Sequence, residues 1–367
     1  AGTGPFMLDN WQRGEYIAIK RFEGCWGEEA YLDRVIIKSN DDPNTRLLAL
    51  RSGEADSIYV PLDHRSDVVG LDGIQVIETL SWTISYVGFN QAFCHGPDDD
   101  RFDSCMAKHG DAVPRGADGT ADPLFFGNAH MRRAWIYAFD YDAYINDILE
   151  GHGQRLNGGL PEGIFGHDPT IPPIEQDLAK AREELALANH PGGFEITIFY
   201  NSGNTVREKT ASLIKQNVEA LLPAGKIKVT VQGLDWSTAF LPKTREGGAA
   251  IFYLGWAPDY AFPDNYLVNA FGHSRLGVYA KRVAYESPAL DLLLDEALVT
   301  INTTRLVELY HRAVRILNED AAYLWLGQLP DLFVAHDHVK GYYHNPVMTG
   351  SVDYQAGDYS RIWISRS

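Results

Sequence analysis

The sequence has little positive charge and no long hydrophobic run. Its 32 lysines and arginines stand against 49 aspartates and glutamates, which gives a formal net charge of −17. This charge argues against nucleic acid or an anionic membrane surface as a partner, because either would be repelled. No apolar run reaches the roughly 18 residues that a membrane-spanning helix needs. The sequence also contains no internal repeat and no low-complexity tract.

Cysteine is scarce, with 3 residues in a chain of 367. Cys94 and Cys105 flank a polar, aspartate-rich segment, HGPDDDRFDS, and a disulfide between them would close a short ring. In the chain-entropy model such a ring contributes on the order of 3 kcal/mol to stability. We favour this disulfide, which implies an oxidising compartment, over two free thiols of the kind found in cytosolic proteins. Cys25 is then left unpaired.

The chain lacks a signal peptide, and its first residues, AGTGPF, are typical of the middle of a domain. We therefore expect an upstream segment outside this sequence. A length of 367 residues exceeds the usual size of one hydrophobic core, so two lobes are expected. The hydrophobic fraction of 45% is typical of a globular protein.

The residue pattern predicts mixed α/β structure along the chain. Strands are predicted at 16–20, 35–38, 56–60, 85–90, 323–326 and 332–335. Helices are predicted to begin near Asp42, Asn128, Asp140, Ile174, Ser287 and Thr303. Segment 92–128 is rich in glycine, proline and aspartate, and it is predicted to be a loop.

The clearest architectural signal is a β-α-β-α-β order. Strands predicted at 194–200, 227–232 and 250–254 are separated by helices predicted at 205–222 and 235–241. This order implies a parallel sheet with right-handed crossovers. Three loops, 201–204, 233–236 and 255–260, follow the three strands. Because the carboxyl ends of parallel strands meet at one edge of a sheet, we expect these loops to converge on one crevice.

The last of these loops belongs to the stretch AIFYLGWAPDYAFPDNY, residues 250–266. Its apolar strand is predicted to end at Gly255, and Trp256, Pro258 and Asp259 follow on a loop that glycine and proline stiffen. An aromatic ring beside a carboxylate suits a small ligand that carries a positive group. The alternative is a packed surface turn in which Asp259 caps a neighbouring element.

Four motifs occur in order across nearly the whole chain: GTGPF, RSGEADSIYVP, MRRAWIYAFDYDAYI and GWAPDY. Together they resemble the extracellular solute-binding proteins of family 5, the peptide- and nickel-receptor family of bacterial and archaeal ABC importers. The resemblance implies an α/β, two-lobed, periplasmic-binding-protein-like fold with mixed sheets flanked by helices and a ligand cleft between the lobes. Residues 1–88 and 328–367 would belong to the first lobe, and residues 89–327 would form the second. It also implies that an N-terminal part of the family fold lies outside this sequence.

The resemblance assigns ligand contacts to the GWAPDY loop. In dipeptide and oligopeptide receptors the aspartate of a G-W-x-x-D-Y loop binds the peptide α-ammonium, and Asp259 occupies that position here, beside Trp256. Gly255 and Ala257 belong to the same predicted set. The pair Ala257-Pro258 departs from the oligopeptide pattern, because Pro258 removes one backbone donor.

The resemblance implies further contacts outside that loop. SYVGFN resembles the strand that carries a ligand-contacting tyrosine, which implies Tyr86, with Gly88 in place of a common acidic contact. Asn201 follows a strand whose end contacts ligand, and Trp236 matches an aromatic residue that lines the pocket. Arg207 stands where a cation facing the ligand carboxylate is expected. The alternative for Arg207 is a solvated residue in the first turn of a helix.

By resemblance, the chain is the substrate-binding component of an ABC importer for di- or oligopeptides. The lobes would close on the peptide by a hinge motion and deliver it to a membrane permease. The resemblance implies no cofactor, no metal, no catalysis, a monomer, and a periplasmic or extracellular location, either free or lipid-anchored. With 8 tryptophans and 19 tyrosines in the chain, an oligosaccharide receptor of the same family stays open as the alternative.

An enzyme is the alternative from another class. Asp259 and Asp264 have the residue type of a glycosidase acid/base pair. The sequence has no GxSxG, HExxH or GxxxxGK[ST] motif. His336-x-His338 is a weak metal pair. The acidic run 98–100 lacks the ligand spacing of a calcium loop, so we interpret it as a solvated loop.

Overall fold

The computed structural model describes residues 3–40, 42–347 and 359–365. The chain forms two compact units: unit 1 is Ala1–Ser81 with Pro330–Ser367, and unit 2 is Trp82–Leu329. The lobes implied by the resemblance, 1–88 with 328–367 and 89–327, stay a prediction. Every helix in the described part of the chain is too short or too polar to span a lipid bilayer.

The described part of the chain contains both strands and helices. The strands are β1 (Phe6–Gln12), β2 (Tyr16–Arg21), β3 (Arg34–Lys38), β4 (Ser57–Ile58), β5 (Ile74–Phe89), β6 (Arg115–Gly116), β7 (Gln154–Arg155), β8 (Phe194–Asn201), β9 (Ile227–Leu234), β10 (Ile251–Trp256), β11 (Tyr323–His336), β12 (Val339–Lys340) and β13 (Trp363–Ile364). The helices are α1 (Pro43–Arg51), α2 (Phe102–His109), α3 (Ala129–Ala138), α4 (Tyr141–Ala143), α5 (Leu178–Leu187), α6 (Thr205–Glu219), α7 (Leu241–Arg245), α8 (Asp264–Tyr266), α9 (Val278–Arg282), α10 (Pro288–Val299) and α11 (Thr303–Glu319).

Unit 1 contains an antiparallel sheet in the order β1-β2-β3 and a small apolar core. Helix α1 begins where the sequence predicts, because Oδ1 of Asp42 accepts a hydrogen bond from the amide of Thr45 at 2.7 Å. The helix buries Leu50 in the core that also contains Ile58 and Val334, which pair between β4 and β11. The predicted helix is therefore confirmed, and its apolar side forms part of the unit 1 core.

Unit 2 contains the parallel sheet that the sequence predicts. Strand β8 runs parallel to both β9 and β10, with Phe194 opposite Ile227 and Ile198 opposite Ile251. Strand β5 pairs antiparallel with β10. The predicted β-α-β-α-β order is confirmed, so the carboxyl ends of β8, β9 and β10 lie at one edge of the sheet.

Helix α6 connects β8 to β9 and packs against both strands. It begins after Asn204, whose Oδ1 accepts from the amide of Arg207 at 2.9 Å. Its buried side chains are those of Thr210, Ala211, Ile214 and Val218. This packing fixes the first turn of α6 at the edge of the sheet where the three strands end.

Two strands differ from their predicted bounds. Strand β5 begins at Ile74 rather than at residue 85, and β11 is one continuous strand where the sequence predicts two, at 323–326 and 332–335. Pro330 lies inside β11, and proline within an apolar pattern argues against a strand. Local pattern therefore hides the continuity of β11.

Two helices also differ from prediction. Segment 92–128, predicted to be a loop, contains α2. The helix predicted from Ile174 begins at Leu178, because Oδ1 of Asp177 caps it by accepting from the amide of Lys180 at 2.9 Å. The capping aspartate, rather than the first apolar residue, determines where that helix starts.

Candidate ligand-binding site

The side chain of Arg207 contacts the ends of β8 and β10 and the segment that follows β9. Its Nη1 donates to Oδ1 of Asn201, the last residue of β8, at 2.6 Å. Its guanidinium carbon lies 5.9 Å from the ring centroid of Trp236, which follows β9. A Cβ placed on Gly255, in β10, would lie 3.4 Å from its Nη2. The structure therefore brings Arg207, Asn201, Trp236 and Gly255 together within unit 2.

Gly255 makes room for this guanidinium. Strand β10 continues through Gly255 to Trp256, two residues beyond its predicted last residue, Leu254. Because Gly255 has no side chain, the guanidinium of Arg207 approaches the sheet closely at that position. The first turn of α6 and a gap in the side chains of β10 together position the cation.

Arg207 is a half-buried cation without an anionic partner. Its guanidinium carbon lies 5.4 Å from the ring centroid of Tyr253, so aromatic rings of β10 and of the loop after β9 both contact it. In the described part of the chain Arg207 makes no ion pair. Burial lowers the pKa of the Arg207 guanidinium from its ordinary value, which shows that water solvates the charge poorly. These contacts differ from those of a solvated first-turn residue, and they leave N–H donors available to an anion.

A buried asparagine organises the loop after β10. Oδ1 of Asn265 accepts from the indole Nε1 of Trp256 at 3.0 Å and from the backbone amide of Asp259 at 3.2 Å. Its Nδ2 donates to Oδ2 of Asp259 at 3.3 Å. Asn265 is 0% exposed, so these hydrogen bonds form away from competing water. The loop is held by one side chain that contacts both of its predicted ligand residues.

Asp259 is exposed, in contrast to the asparagine that holds it. Its Oδ2 accepts from Asn265, whereas its Oδ1 makes no hydrogen bond in the described part of the chain. Pro258 is buried and Ala257 is half-buried, so the loop is anchored on the side next to Asp259. One carboxylate oxygen of Asp259 is therefore without a hydrogen-bond donor among the described residues.

The predicted contacts divide between two faces of the sheet in unit 2. Tyr86 and Trp256 project to one face and Gly255 to the other, because successive residues of β5 and β10 alternate. Arg207 packs on the Gly255 face. No contact between described residues joins Asp259 directly to Arg207. Two groups result: one is centred on Arg207 and the other on Asp259 with Trp256.

Tyr86 lies in the hydrophobic core rather than at the surface. It is 0% exposed and makes edge-to-face contacts with Phe271 and Tyr323, at centroid distances of 4.8 and 5.6 Å. Its hydroxyl has no hydrogen-bond partner among the described residues, and burial raises its pKa. Strand alternation directs the ring inward, so the structure places Tyr86 in the core, and the ligand contact that the resemblance implies for it stays a prediction.

Sequence reasoning missed two residues of this site, Asn265 and Tyr253. Asn265 stands among apolar residues directly after Pro263-Asp264, and a polar side chain in such a run is a signal for a buried hydrogen-bonding role. Tyr253 occurs in an apolar strand, where an aromatic residue is expected for packing alone. Its contact with Arg207 had no signal in the local sequence.

The predicted cysteine pair forms a disulfide. Cys94 and Cys105 are bonded, with their Cα atoms 5.4 Å apart, and Cys25 is free and half-buried. The bond joins the end of the turn after β5 to α2. It lies in unit 2, in the segment predicted to be a loop.

Residues of the two candidate metal sites, the acidic run 98–100 and the pair His336 and His338, contact other groups of the protein. In the acidic run, Asp99 accepts from Arg101 at 2.7 Å. The rings of His336 and His338 stack with centroids 5.1 Å apart; Nε2 of His336 lies 2.7 Å from the carbonyl oxygen of Leu50. Within the described ranges, no group of three or more histidine, cysteine, aspartate or glutamate residues is arranged to hold a metal ion.

The chain matches known proteins of one kind. The family model of the bacterial extracellular solute-binding proteins, family 5 middle, matches residues 1–277. Over 350 residues the chain is 27% identical to the probable D,D-dipeptide-binding periplasmic protein DdpA of Escherichia coli K12, covering 95% of this chain and 61% of that protein. Over 366 residues it is 24% identical to the probable di/tripeptide-binding protein 5 of Pseudomonas aeruginosa UCBPP-PA14, covering 100% and 62%.

Solved structures match over the whole chain. The periplasmic binding protein DppA from Helicobacter pylori, in complex with the peptide STSA, has a TM-score of 0.81 and 27% identity, covering 100% of this chain and 63% of that one. The oligopeptide-binding protein AppA from Bacillus subtilis, in complex with a nonapeptide, has a TM-score of 0.78 and 20% identity, covering 99% and 66%. The chain thus spans 61–66% of the length of these proteins.

These neighbours confirm the predicted two-lobed, periplasmic-binding-protein-like α/β fold. The family model covers well over half of the chain, and the four sequence motifs fall in the same family. The chain belongs to the bacterial extracellular solute-binding proteins of family 5.

Proposed function

We propose that the chain is the substrate-binding part of an ABC importer and that it binds short peptides by their two charged ends. Arg207 takes the peptide carboxylate, and Asp259 takes the α-ammonium. One observation carries the proposal: an arginine without an anionic partner among the described residues contacts the ends of two parallel strands, β8 and β10, and the segment that follows β9.

A peptide carboxylate completes the hydrogen bonding of Arg207. A guanidinium has five N–H donors in a planar fork, and Asn201 accepts one of them at 2.6 Å. A carboxylate bound to the remaining donors forms charge-assisted hydrogen bonds. Because burial lowers the pKa of Arg207, the unliganded charge is poorly solvated and gains from an anionic ligand. Such a desolvated pair typically loses about 2–5 kcal/mol when one partner is truncated.

The peptide ammonium is the corresponding cation for Asp259. An ammonium that leaves water needs an anionic acceptor, because an unpaired buried charge costs several kcal/mol. Oδ1 of Asp259 is available for this role, since Asn265 occupies only Oδ2. Trp256 stands on the same hydrogen-bonded loop and provides an aromatic surface next to the anchor.

Aromatic surface near Arg207 supports tolerance of different side chains. Trp236 is 44% exposed and stacks on Phe240 with ring centroids 5.7 Å apart. Flat rings accept apolar and aromatic groups of several shapes. We expect the charged termini to determine affinity and the side chains to modulate it.

The relatives support a peptide ligand. The Escherichia coli and Pseudomonas aeruginosa relatives are named as dipeptide- and di/tripeptide-binding proteins, and the Helicobacter pylori neighbour was solved with a peptide. By extension we propose a periplasmic or extracellular location and a membrane permease as partner. Hinge closure, a lipid anchor and a monomeric state stay predictions.

We further infer that the chain acts by binding and not by catalysis. The two carboxylates considered as an acid/base pair have separate hydrogen-bond partners: Asp264 accepts from the hydroxyl of Tyr260 at 2.8 Å, and Asp259 accepts from Asn265. The family consists of solute-binding proteins. An oligosaccharide ligand has less support, because a neutral sugar carries no anionic group to pair with the charge of Arg207.

The proposal is tested by ligand capture. The chain is incubated with a synthetic library of di- to tetrapeptides, each present as the free peptide, the N-acetylated form and the C-terminal amide, together with malto- and cello-oligosaccharides. Bound compounds are eluted after removal of the unbound fraction and quantified by mass spectrometry. We expect enrichment of the free peptides over both blocked forms.

Three results would contradict the proposal. Capture of oligosaccharides without peptides would favour the sugar receptor. Equal capture of free and amidated peptides would show that Arg207 does not bind the peptide carboxylate. Hydrolysis of library members by the purified chain would establish an enzyme.

A further inference from the structure

The loop that carries Asp259 depends on one fully buried polar side chain. The Asn265 amide makes three hydrogen bonds, and all of them go to two of the predicted ligand residues, Trp256 and Asp259. Asn265 is 0% exposed and belongs to the short helix α8. A buried amide whose side-chain bonds serve only these two residues is specialised for holding the loop.

We propose that Asn265 is a positioning residue that aims the carboxylate of Asp259 at the ligand ammonium. This inference rests on the proposed function, because it presumes that Asp259 receives a cation. Asn265 does not touch the ligand in this account. It acts through Asp259, and its removal therefore affects only ligands that use Asp259.

The chemistry of the amide explains the positioning. Oδ1 of Asn265 uses its two lone pairs on the Trp256 indole and the Asp259 amide, while Nδ2 donates to Oδ2 of Asp259. An exposed aspartate without such a donor samples several rotamers. The hydrogen bond selects one of them and leaves Oδ1 directed outward. A preorganised carboxylate loses less conformational entropy when an ammonium binds.

The same amide couples the aromatic ring to the charge. Oδ1 of Asn265 accepts from the Trp256 indole and from the Asp259 backbone amide, and Nδ2 of the same amide donates to the Asp259 carboxylate, so a shift of the ring or of the carboxylate away from Asn265 breaks a buried hydrogen bond. Pro258 lies between Trp256 and Asp259 in the sequence and is buried in the structure. Its ring restricts the backbone of the loop further. The loop therefore presents its two ligand groups as one rigid unit.

Two substitutions separate the donor from the acceptor. N265D keeps an oxygen acceptor for Trp256 and the Asp259 amide, but it replaces the donor to Asp259 with a second carboxylate oxygen. N265A removes donor and acceptor together. Both substitutions remove the donor to the Asp259 carboxylate. N265A leaves a small side chain at a buried position, whereas N265D preserves the size of the side chain and sets a second carboxylate against Asp259.

The experiment measures the preference for free over N-acetylated peptides, using the same synthetic library. For N265D and N265A we expect this preference to fall roughly tenfold, the size typical of one hydrogen bond to a charged group. In a D259A background the Asn265 substitutions should cause no further fall. The preference for free over C-amidated peptides should stay unchanged, because Arg207 is not involved.

Asn90 provides a matched control. It is also buried, at 2% exposure, and its Nδ2 donates to the carbonyl oxygens of Gly247 and Ala249, before the start of β10. We expect N90A to lower the thermal midpoint of unfolding without changing the ratio of free to acetylated peptide. A merely structural role of Asn265 would give the N90A result.

The outcomes separate this inference from the proposed function. If D259A abolishes the preference for free amines and both Asn265 variants retain it, the positioning role is refuted and the proposed function stands. If D259A itself retains the preference, the ammonium contact of the proposed function fails, and the inference fails with it. A tenfold fall in both Asn265 variants, absent in the D259A background, supports both.

Discussion

Nη1 of Arg207 donates to Oδ1 of Asn201 at 2.6 Å, which joins the first turn of α6 to the last residue of the strand that precedes it. The bond holds the guanidinium over Gly255 without neutralising it, because an amide oxygen carries no charge. A cation held in this way by neutral groups keeps its full attraction for an anion. The following predictions concern this cation, its neighbours and the stability of unit 2.

Replacing Arg207 should abolish recognition of the peptide carboxylate. For R207A we expect at least a roughly 30-fold loss of affinity for free peptides, from a lost pair worth about 2 kcal/mol or more. Affinity for the C-terminal amides should change little. R207K should restore binding only in part, because an ammonium lacks the planar fork of donors. Isothermal titration calorimetry with a captured peptide and with its C-terminal amide measures the two affinities for each variant.

A surface arginine supplies the control for this prediction. Arg305 forms ion pairs with Glu296 and Glu308 on the exposed side of α10 and α11. R305A should leave peptide affinity unchanged. Equal losses for R207A with the free peptide and with its amide would show that Arg207 supports the fold and does not read the carboxylate.

Replacing Trp236 should weaken binding moderately. Its ring contacts the Arg207 guanidinium at 5.9 Å, and an exposed cation–π contact contributes about 0.5–1 kcal/mol. We expect W236L to lower the affinity about two- to fivefold. W363L serves as control, because Trp363 has a similar exposure of 43% and lies in unit 1. Identical affinities for W236L and the unmodified chain would exclude Trp236 from the site.

A side chain at Gly255 should displace the guanidinium. A Cβ there would lie 3.2 Å from the carbonyl oxygen of Ile84 and 3.4 Å from Nη2 of Arg207. Overpacking of this kind costs about 1–3 kcal/mol, so G255V should reduce affinity for free peptides more than affinity for the amides. G27A is the control, since no atom lies within 4 Å of a Cβ at Gly27. An unchanged affinity of G255V for free peptides would mean that the present position of the Arg207 guanidinium is not required for peptide binding.

The disulfide should stabilise unit 2. Cys94 and Cys105 are separated by 11 positions in sequence, and closing a ring of that size contributes about 2–4 kcal/mol. The double substitution C94S/C105S should lower the free energy of unfolding by that amount in urea denaturation, whereas C25S should not. A chain whose unfolding curve is insensitive to both C94S/C105S and reducing agent would refute this stabilisation.

Glu246 should make part of the stability depend on pH. Hydrogen bonds from Lys108 and His109 lower the pKa of the Glu246 carboxyl from its ordinary value of 4.5. A lowered folded-state pKa contributes stability that is present above the unfolded value and is lost as the pH falls through the folded value. The difference in unfolding free energy between the unmodified chain and E246Q should therefore be largest near neutral pH and shrink below about pH 4.5. A difference that stays constant from pH 7 to pH 3 would contradict this.

The sequence predicted those elements whose signal lies within the element or directly beside it, such as a helix cap. The capping residues Asp42, Asn128 and Asp140 each accept a backbone hydrogen bond at the start of a helix, as expected. The parallel strands β8, β9 and β10 were visible because crossover helices separate them. The continuity of β11 was not visible, since Pro330 interrupts its pattern and the strand depends on its neighbours for pairing.

The site was predictable where it follows from topology. The rule that strand-end loops converge placed Asn201, Trp236 and Gly255 together, and the structure joins them through Arg207. The burial of Tyr86 could not be predicted from the sequence, because the face to which a strand residue projects depends on register. Asn265 was missed because its role lies in three tertiary hydrogen bonds, which no spacing in the sequence encodes.

The most direct test is a crystal structure of the chain with a captured free peptide. The account predicts that a terminal carboxylate oxygen of the peptide lies within hydrogen-bond distance of the Arg207 guanidinium and that the α-ammonium lies against Asp259. A peptide bound elsewhere, with Arg207 still contacting only Asn201 and the aromatic rings, would contradict it.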